Sequence, residues 1–110
     1  MIVFSQGEII EFDFSPSINS EPAKRRSALV VSSDEFNIKT SMTLVCPITT
    51  TDNRFPLHLK LPDELDVFGY VVTEQVRAFD LHARQAKHLT QLDTGSKLMQ
   101  DIRTLIKSFL

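Results

Sequence analysis

The stretch GEIIEFDFSPS, residues Gly7–Ser17, alternates Ile10, Phe12 and Phe14 with Glu11 and Asp13, which is the period of a strand with one buried face. Gly7 opens it and Pro16 ends it. From there to about Arg25 the chain carries Ser, Asn and two Pro with no apolar period, so it reads as a loop longer than a usual hairpin connection. Long loops in small domains are often functional. This one runs into three consecutive cations, Lys24, Arg25 and Arg26, set directly before the apolar run SALVVSS at residues 27–33. A cation cluster at the root of a loop suits an anion.

Outward from this hairpin, SALVVSS and MTLVCPIT (residues 42–49) are continuous apolar runs of the kind found at a sheet centre. SDEFNIKTS between them is polar enough for a turn or a single helical turn. FPLHLKLP, residues 55–62, alternates Phe55, Leu57, Leu59 and Leu61 with Pro56, His58 and Lys60, which predicts a third half-buried strand closed by Pro62. FGYVVTEQVRAF, residues 68–79, reads as one further strand, and LHARQAKHL as a short strand or a loop crossing. The last segment, TGSKLMQDIRTLIKSFL, sets Leu98, Ile102, Leu105 and Phe109 at helical spacing, with Met99 and Ile106 widening the stripe and Thr94 or Ser96 available as cap. Antiparallel strands followed by one amphipathic helix imply a mainly β domain: a barrel-like or strongly twisted sheet with a helix packed on it.

The 110 residues, 42% hydrophobic, suit one domain over 1–110 with one modest core. A net charge of -2 excludes a generally basic nucleic-acid coat but leaves room for a local cationic patch. The lone Cys46 cannot form an internal disulfide, the N-terminus lacks a signal-peptide pattern, and no stretch suits a membrane span, so a cytoplasmic protein is expected. His58, His82 and His88 form no close-spaced ligand motif, so no metal and no cofactor are expected. His58 falls on the polar phase of its strand and reads as exposed. Of the aromatics that could stack on bases, Phe36, Phe55, Phe68 and Phe79, most are assigned to the core.

GEIIEFDFSPS, a loop carrying Glu21, RRSALVVS, VCPITT, the FP start of the next strand and VVTEQVRAFD follow one another in the order and approximate spacing of the MazF/PemK toxins. The chain resembles that family over nearly its whole length. The resemblance implies an SH3-like barrel of the CcdB/MazF/PemK type, a homodimer, and a metal-independent, sequence-specific endoribonuclease. Such a toxin cuts single-stranded RNA and is silenced by a cognate antitoxin.

By position in the family motifs, Arg26 is the catalytic arginine and Thr49 the catalytic threonine, with Thr50 the neighbouring candidate and Glu21 an acidic loop residue that could serve as base. Ser27 stands where the family has Pro. Arg25 precedes the catalytic arginine and, permanently charged, cannot itself be a base. Lys24 and Arg25 would guide neighbouring phosphates, and Gln75 and Arg77 would contribute weak RNA contacts. Val72 and Glu74 occupy the places of the arginine and aspartate of the plasmid Kid-type branch, so that catalytic set is incomplete here. The competing readings are a non-catalytic gyrase inhibitor in the style of CcdB and a decayed toxin that only binds its antitoxin.

Overall fold

In the computed structural model, which describes residues 3–15 and 24–110, β1 (Glu8–Asp13) pairs antiparallel with β2 (Arg25–Val30) on one side and β7 (Lys87–Gln91) on the other. β3 (Thr43–Thr49) continues the sheet beyond β2. Its far edge pairs with β6 (Arg77–Phe79) at one end and β5 (Tyr70–Val72) at the other, and β4 (His58–Lys60) lies outside β5. The strand order is β4-β5-β3-β2-β1-β7, with β6 off this path. The architecture is the expected antiparallel sheet with a C-terminal helix. The barrel is not closed, because β4 and β7 remain at opposite ends of the strand order among the described residues.

Both faces of this sheet are buried, and alternation divides the apolar residues between them. Ile9, Leu29, Cys46, Ile48 and Val71 form one cluster, together with Met99 and Ile102 of α2 (Lys97–Lys107). Ile10, Phe12, Ala28, Val30, Val45, Phe79 and Leu81 form a second. Met99 and Ile102 are fully buried, each contributing about 1.5–3 kcal/mol through removal from water. Ser96 caps the helix, its hydroxyl oxygen accepting from the Met99 N–H at 3.2 Å, which settles the choice against Thr94. Phe109, expected on the buried stripe, lies past the helix end and is exposed.

Three other elements differ from the sequence reading. SDEFNIKTS forms a seven-residue helix, α1 (Asp34–Thr40), capped by Ser33 and ended by Ser41 at φ 58°; its inward Asn37 donates to the Phe4 carbonyl at 2.7 Å. β4 is shorter than expected, because the His58 N–H turns back to the Phe55 carbonyl at 2.9 Å and Pro56 has no N–H, so the ladder starts only at His58. FGYVVTEQVRAF is two strands rather than one. Val71 pairs with Ile48 and Arg77 with Val45, so Cys46 and Pro47 face the longer segment 72–76, whose excess forms the 3-10 turn Thr73–Gln75. Both the N–H and the hydroxyl of Thr73 donate to the Leu57 carbonyl, at 3.3 and 2.7 Å, and hold that turn against the chain entering β4.

Past the end of β1, residues 13–15 are tied to Lys24 and Arg84. The Ser15 N–H and hydroxyl donate to Asp13 Oδ1, and the Ser15 hydroxyl oxygen accepts from the Lys24 N–H at 3.0 Å. Phe14 N–H donates to the Lys24 carbonyl at 2.7 Å, and Arg84 donates to the Ser15 carbonyl. Asp13 and Ser15 are almost wholly buried. The two hydrogen bonds from Ser15 hold the Asp13 carboxyl below its ordinary value, with smaller help from the Lys24 amide and the Arg84 charge.

A carboxylate whose pKa is lower in the folded state stabilises the protein above the unfolded value, about 3.9, and loses that contribution as pH falls through the folded value. The stability difference between wild type and Ser15→Ala, measured by urea unfolding across pH, is expected to be largest near neutrality and to shrink below about pH 4. A difference that stays constant down to pH 2 would rule out the Asp13 carboxylate as its source. Gly69 yields a second expectation. Its φ is 151°, and an added Cβ would meet Ile48 Cγ2 at 2.6 Å and the Thr49 carbonyl oxygen at 2.7 Å. Gly69→Ala is expected to cost about 1–3 kcal/mol, read as a lowered Tm in thermal unfolding.

Candidate nucleic-acid interface

Strand alternation sets Arg26 two residues before Ala28 and therefore on the same face, over the second cluster. Its register partner is Phe12 on β1. The Arg26 guanidinium lies over the Phe14 ring at 5.1 Å, and Phe14 meets Phe79 at 5.2 Å between centroids. Arg77, two residues from Phe79 on β6, and Arg84, from the connection to β7, both lie over the Phe79 ring, at 4.7 and 5.4 Å. Three guanidiniums thus share a floor of two phenylalanines. The floor positions them through cation–π attraction, on the order of 0.5–2 kcal/mol each.

Phe14, Ser15, Lys24, Arg77 and Phe79 line a depression of about 390 Å³ beside this floor. Lys24 is exposed at its rim. On a protein of net charge -2, this concentration of cations makes a local positive field suited to phosphate. Carrying the β2–β3 register two residues past Ala28↔Pro47 brings Arg26 level with Thr49. Thr49 lies on the same face as Pro47 and Val45, half-buried, and its hydroxyl oxygen accepts from the Thr51 N–H at 3.2 Å. Thr50 is exposed on the alternate phase.

Arg25 stands apart from this group. Its Nε donates to Glu11 Oε1 at 2.7 Å, and Nη2 donates to the carbonyls of Glu11 and Gln85 at 3.1 and 2.9 Å. Alternation turns it to the face opposite Arg26, where it ties β1, β2 and the chain entering β7 together. Ser27 occupies an ordinary ladder position opposite Glu11. Gln75 is exposed on the 3-10 turn rather than on a strand. Glu21 lies outside the described residues.

The reading of His58 as exposed is overturned: its side chain is only 10% exposed. The 3-10 turn carries Glu74 across to β4, where Glu74 Oε2 meets His58 Nε2 at 2.9 Å. Nδ1 is buried with no partner among the described residues, and Phe55 packs edge-on against the ring at 5.2 Å. The assignment of the phenylalanines mostly to the core is also corrected. Phe36, Phe55 and Phe68 are exposed, and of the four only Phe79 is core. Burial and the nearby Glu74 push the Cys46 thiol up to about 12, which leaves it inert as a nucleophile. Val72 is buried and apolar, so its position supplies no charge.

Sequence reasoning missed Arg84, Phe14 as a ring beneath Arg26, and the His58–Glu74 pair. Phe14 carried a signal, since it shares the alternating phase of Ile10 and Phe12. Arg84 carried none, sitting in an aperiodic loop whose path is set by contacts with Asp13 and Ser15. Among the described residues, no three or more His, Cys, Asp or Glu side chains converge as a metal site, and no helix is long and apolar enough to cross a membrane.

Residues 5–110 match the family described as PemK-like, MazF-like toxin of type II toxin-antitoxin system. The chain is 42% identical over 94 residues to the endoribonuclease toxin ChpB of Escherichia coli strain K12, a match spanning 78% of each. It is 35% identical over 80 residues to the endoribonuclease toxin MazF of the same strain, spanning 73% of this chain and 71% of that one. Among solved structures, it superposes on MazF from Deinococcus radiodurans with a TM-score of 0.83 at 28% identity, covering 99% of this chain and 97% of that one. For a MazE-MazF crystal structure from the same organism the TM-score is 0.85 at 27% identity, covering 98% and 96%. Sequence and fold agree over almost the entire length, and the chain belongs to the PemK-like, MazF-like toxin family of type II toxin-antitoxin systems.

Proposed function

We propose that this protein is the toxin of such a pair, a cytoplasmic, homodimeric endoribonuclease that cuts single-stranded RNA without a metal ion and is held inactive by a cognate antitoxin. The observation that carries this reading is Arg26, aligned by register with Thr49 and resting on an aromatic floor shared with Arg77 and Arg84.

RNA supplies its own nucleophile, the 2'-hydroxyl beside the scissile phosphate. Its oxygen bonds to phosphorus, the bond to the 5'-oxygen breaks, and the products are a 2',3'-cyclic phosphate and a 5'-hydroxyl end. The protein must align the groups, accept one proton, return one to the leaving oxygen and stabilise the charge growing on the phosphoryl oxygens. Arg26 suits the last task, because a planar guanidinium donates two parallel hydrogen bonds and stays charged throughout. The Thr49 hydroxyl offers one further donor from the adjacent strand end. Lys24, Arg77 and Arg84 would hold neighbouring phosphates by charge, making affinity fall steeply with salt. Glu21 is the proton acceptor in this reading, carried on the segment that Ser15 and Lys24 anchor.

An antitoxin tail that is acidic and extended would compete for the same cations and cover the aromatic floor. The type II pairing of the family and the MazE-MazF neighbour support that partner class.

Purified protein incubated with a long single-stranded RNA in excess EDTA is expected to give discrete fragments with 5'-hydroxyl ends. Arg26→Ala is expected to remain folded, its Tm lowered by no more than the lost stacking on Phe14 accounts for, and to lose about a hundred- to a thousand-fold in cleavage rate. Intact RNA with the wild-type protein, or undiminished cleavage by the variant, would overturn the assignment, and trapping of gyrase on DNA instead would favour the CcdB-like alternative.

A further inference from the structure

On the face that carries Arg26 and Thr49, the ladder continues in one row: Thr49 pairs with Tyr70 on β5, and Tyr70 with Lys60 on β4. Residues directly opposite in an antiparallel pair have Cβ atoms about 4.5–5.5 Å apart, so the Tyr70 side chain leaves the sheet next to that of Thr49. Gly69 enforces that closeness, since its missing Cβ is what lets the chain lie against the Thr49 carbonyl. Tyr70 is only half-buried. Phe68, two residues earlier, is 59% exposed and meets Tyr70 edge to face at 5.9 Å. The row therefore runs cation, hydroxyl, aromatic, cation across four strands, spanning roughly 14 Å between the Arg26 and Lys60 backbones.

Single-stranded RNA is held where cations track the backbone and aromatic rings receive unstacked bases. Phe14 and Phe79 already carry guanidiniums on their faces, whereas the Phe68 and Tyr70 rings engage only each other among the aromatic and cation contacts of the described residues. We infer that Tyr70 is the stacking platform for the nucleobase adjacent to the scissile phosphate, with Lys60 receiving the next phosphate beyond it, so that this strand end sets which base is preferred beside the cut. The inference rests on the endoribonuclease reading and deepens it. Lys60 reaches Asp63 at 3.1 Å across exposed surface, an ion pair weak enough for a phosphate to displace.

The test uses an oligonucleotide carrying a cleavage site mapped first on long single-stranded RNA with the wild-type protein. Kinetics are compared for wild type, Tyr70→Phe and Tyr70→Leu, the last keeping an apolar side chain of similar reach without a π face, with Tm recorded for each. Tyr70→Leu is expected to raise KM about ten- to a hundred-fold with kcat less affected, while Tyr70→Phe stays near wild type. An abasic nucleotide beside the cut should impair the wild-type protein and add nothing to the defect of Tyr70→Leu. Wild-type cleavage with an unchanged KM and cutting pattern in Tyr70→Leu, or full additivity with the abasic substrate, overturns the inference alone. RNA left intact by the wild type removes the nuclease reading, and this inference with it.

Discussion

Strand parity is the constraint on which everything else rests. β1, β2 and β3 each bury alternate residues on opposite sides of one sheet, as the separation of Ile9 from Ile10, Leu29 from Val30 and Val45 from Cys46 between two apolar clusters makes plain. A slip of one residue in any of these ladders would exchange the two faces of that strand. In β2 it would also carry Arg26 to the face where Arg25 now lies. Because both faces are packed, no such slip is tolerated, and the same packing that stabilises the sheet decides which of two adjacent arginines looks into the groove.

The groove follows from that decision. Arg26, Arg77 and Arg84 arrive from β2, β6 and the connection to β7, and meet over Phe14 and Phe79 because those rings are the outer layer of the second cluster. Stacking fixes the guanidiniums in advance, so little reorganisation is required when a phosphate arrives. Beside the groove, the buried bonds from Ser15 to Asp13 and the part-buried bond from the Lys24 N–H to the Ser15 hydroxyl fix Ser15 and Lys24 relative to β1. A net acidic protein thereby presents a cationic site without carrying an excess of cations elsewhere.

Interruption of the far strand serves the other side of the site. Three residues looped out at Thr73–Gln75 let the chain pair with both ends of β3 and bring Glu74 to His58. Pro47, with no N–H to donate, sits at the break. Tyr70 then stands beside Thr49, at the end of the strand where the proposed chemistry takes place.

Period-2 and period-3.6 patterns in the sequence determined most strands and the terminal helix, because hydrophobic alternation reports burial directly. Linked motifs singled out Arg26 and Thr49 in the same way, by type and order. The exposed phenylalanines went astray because composition cannot tell an exposed ring from a buried one; Phe36, Phe55 and Phe68 look like Phe79 until neighbours are assigned. His58 was misread since a polar phase means exposure only where nothing crosses over it, and Glu74 crosses. Arg25 and Arg26 are equivalent cations in the chain; only the tertiary register, which pairs one with Glu11 and rests the other on Phe14, told them apart.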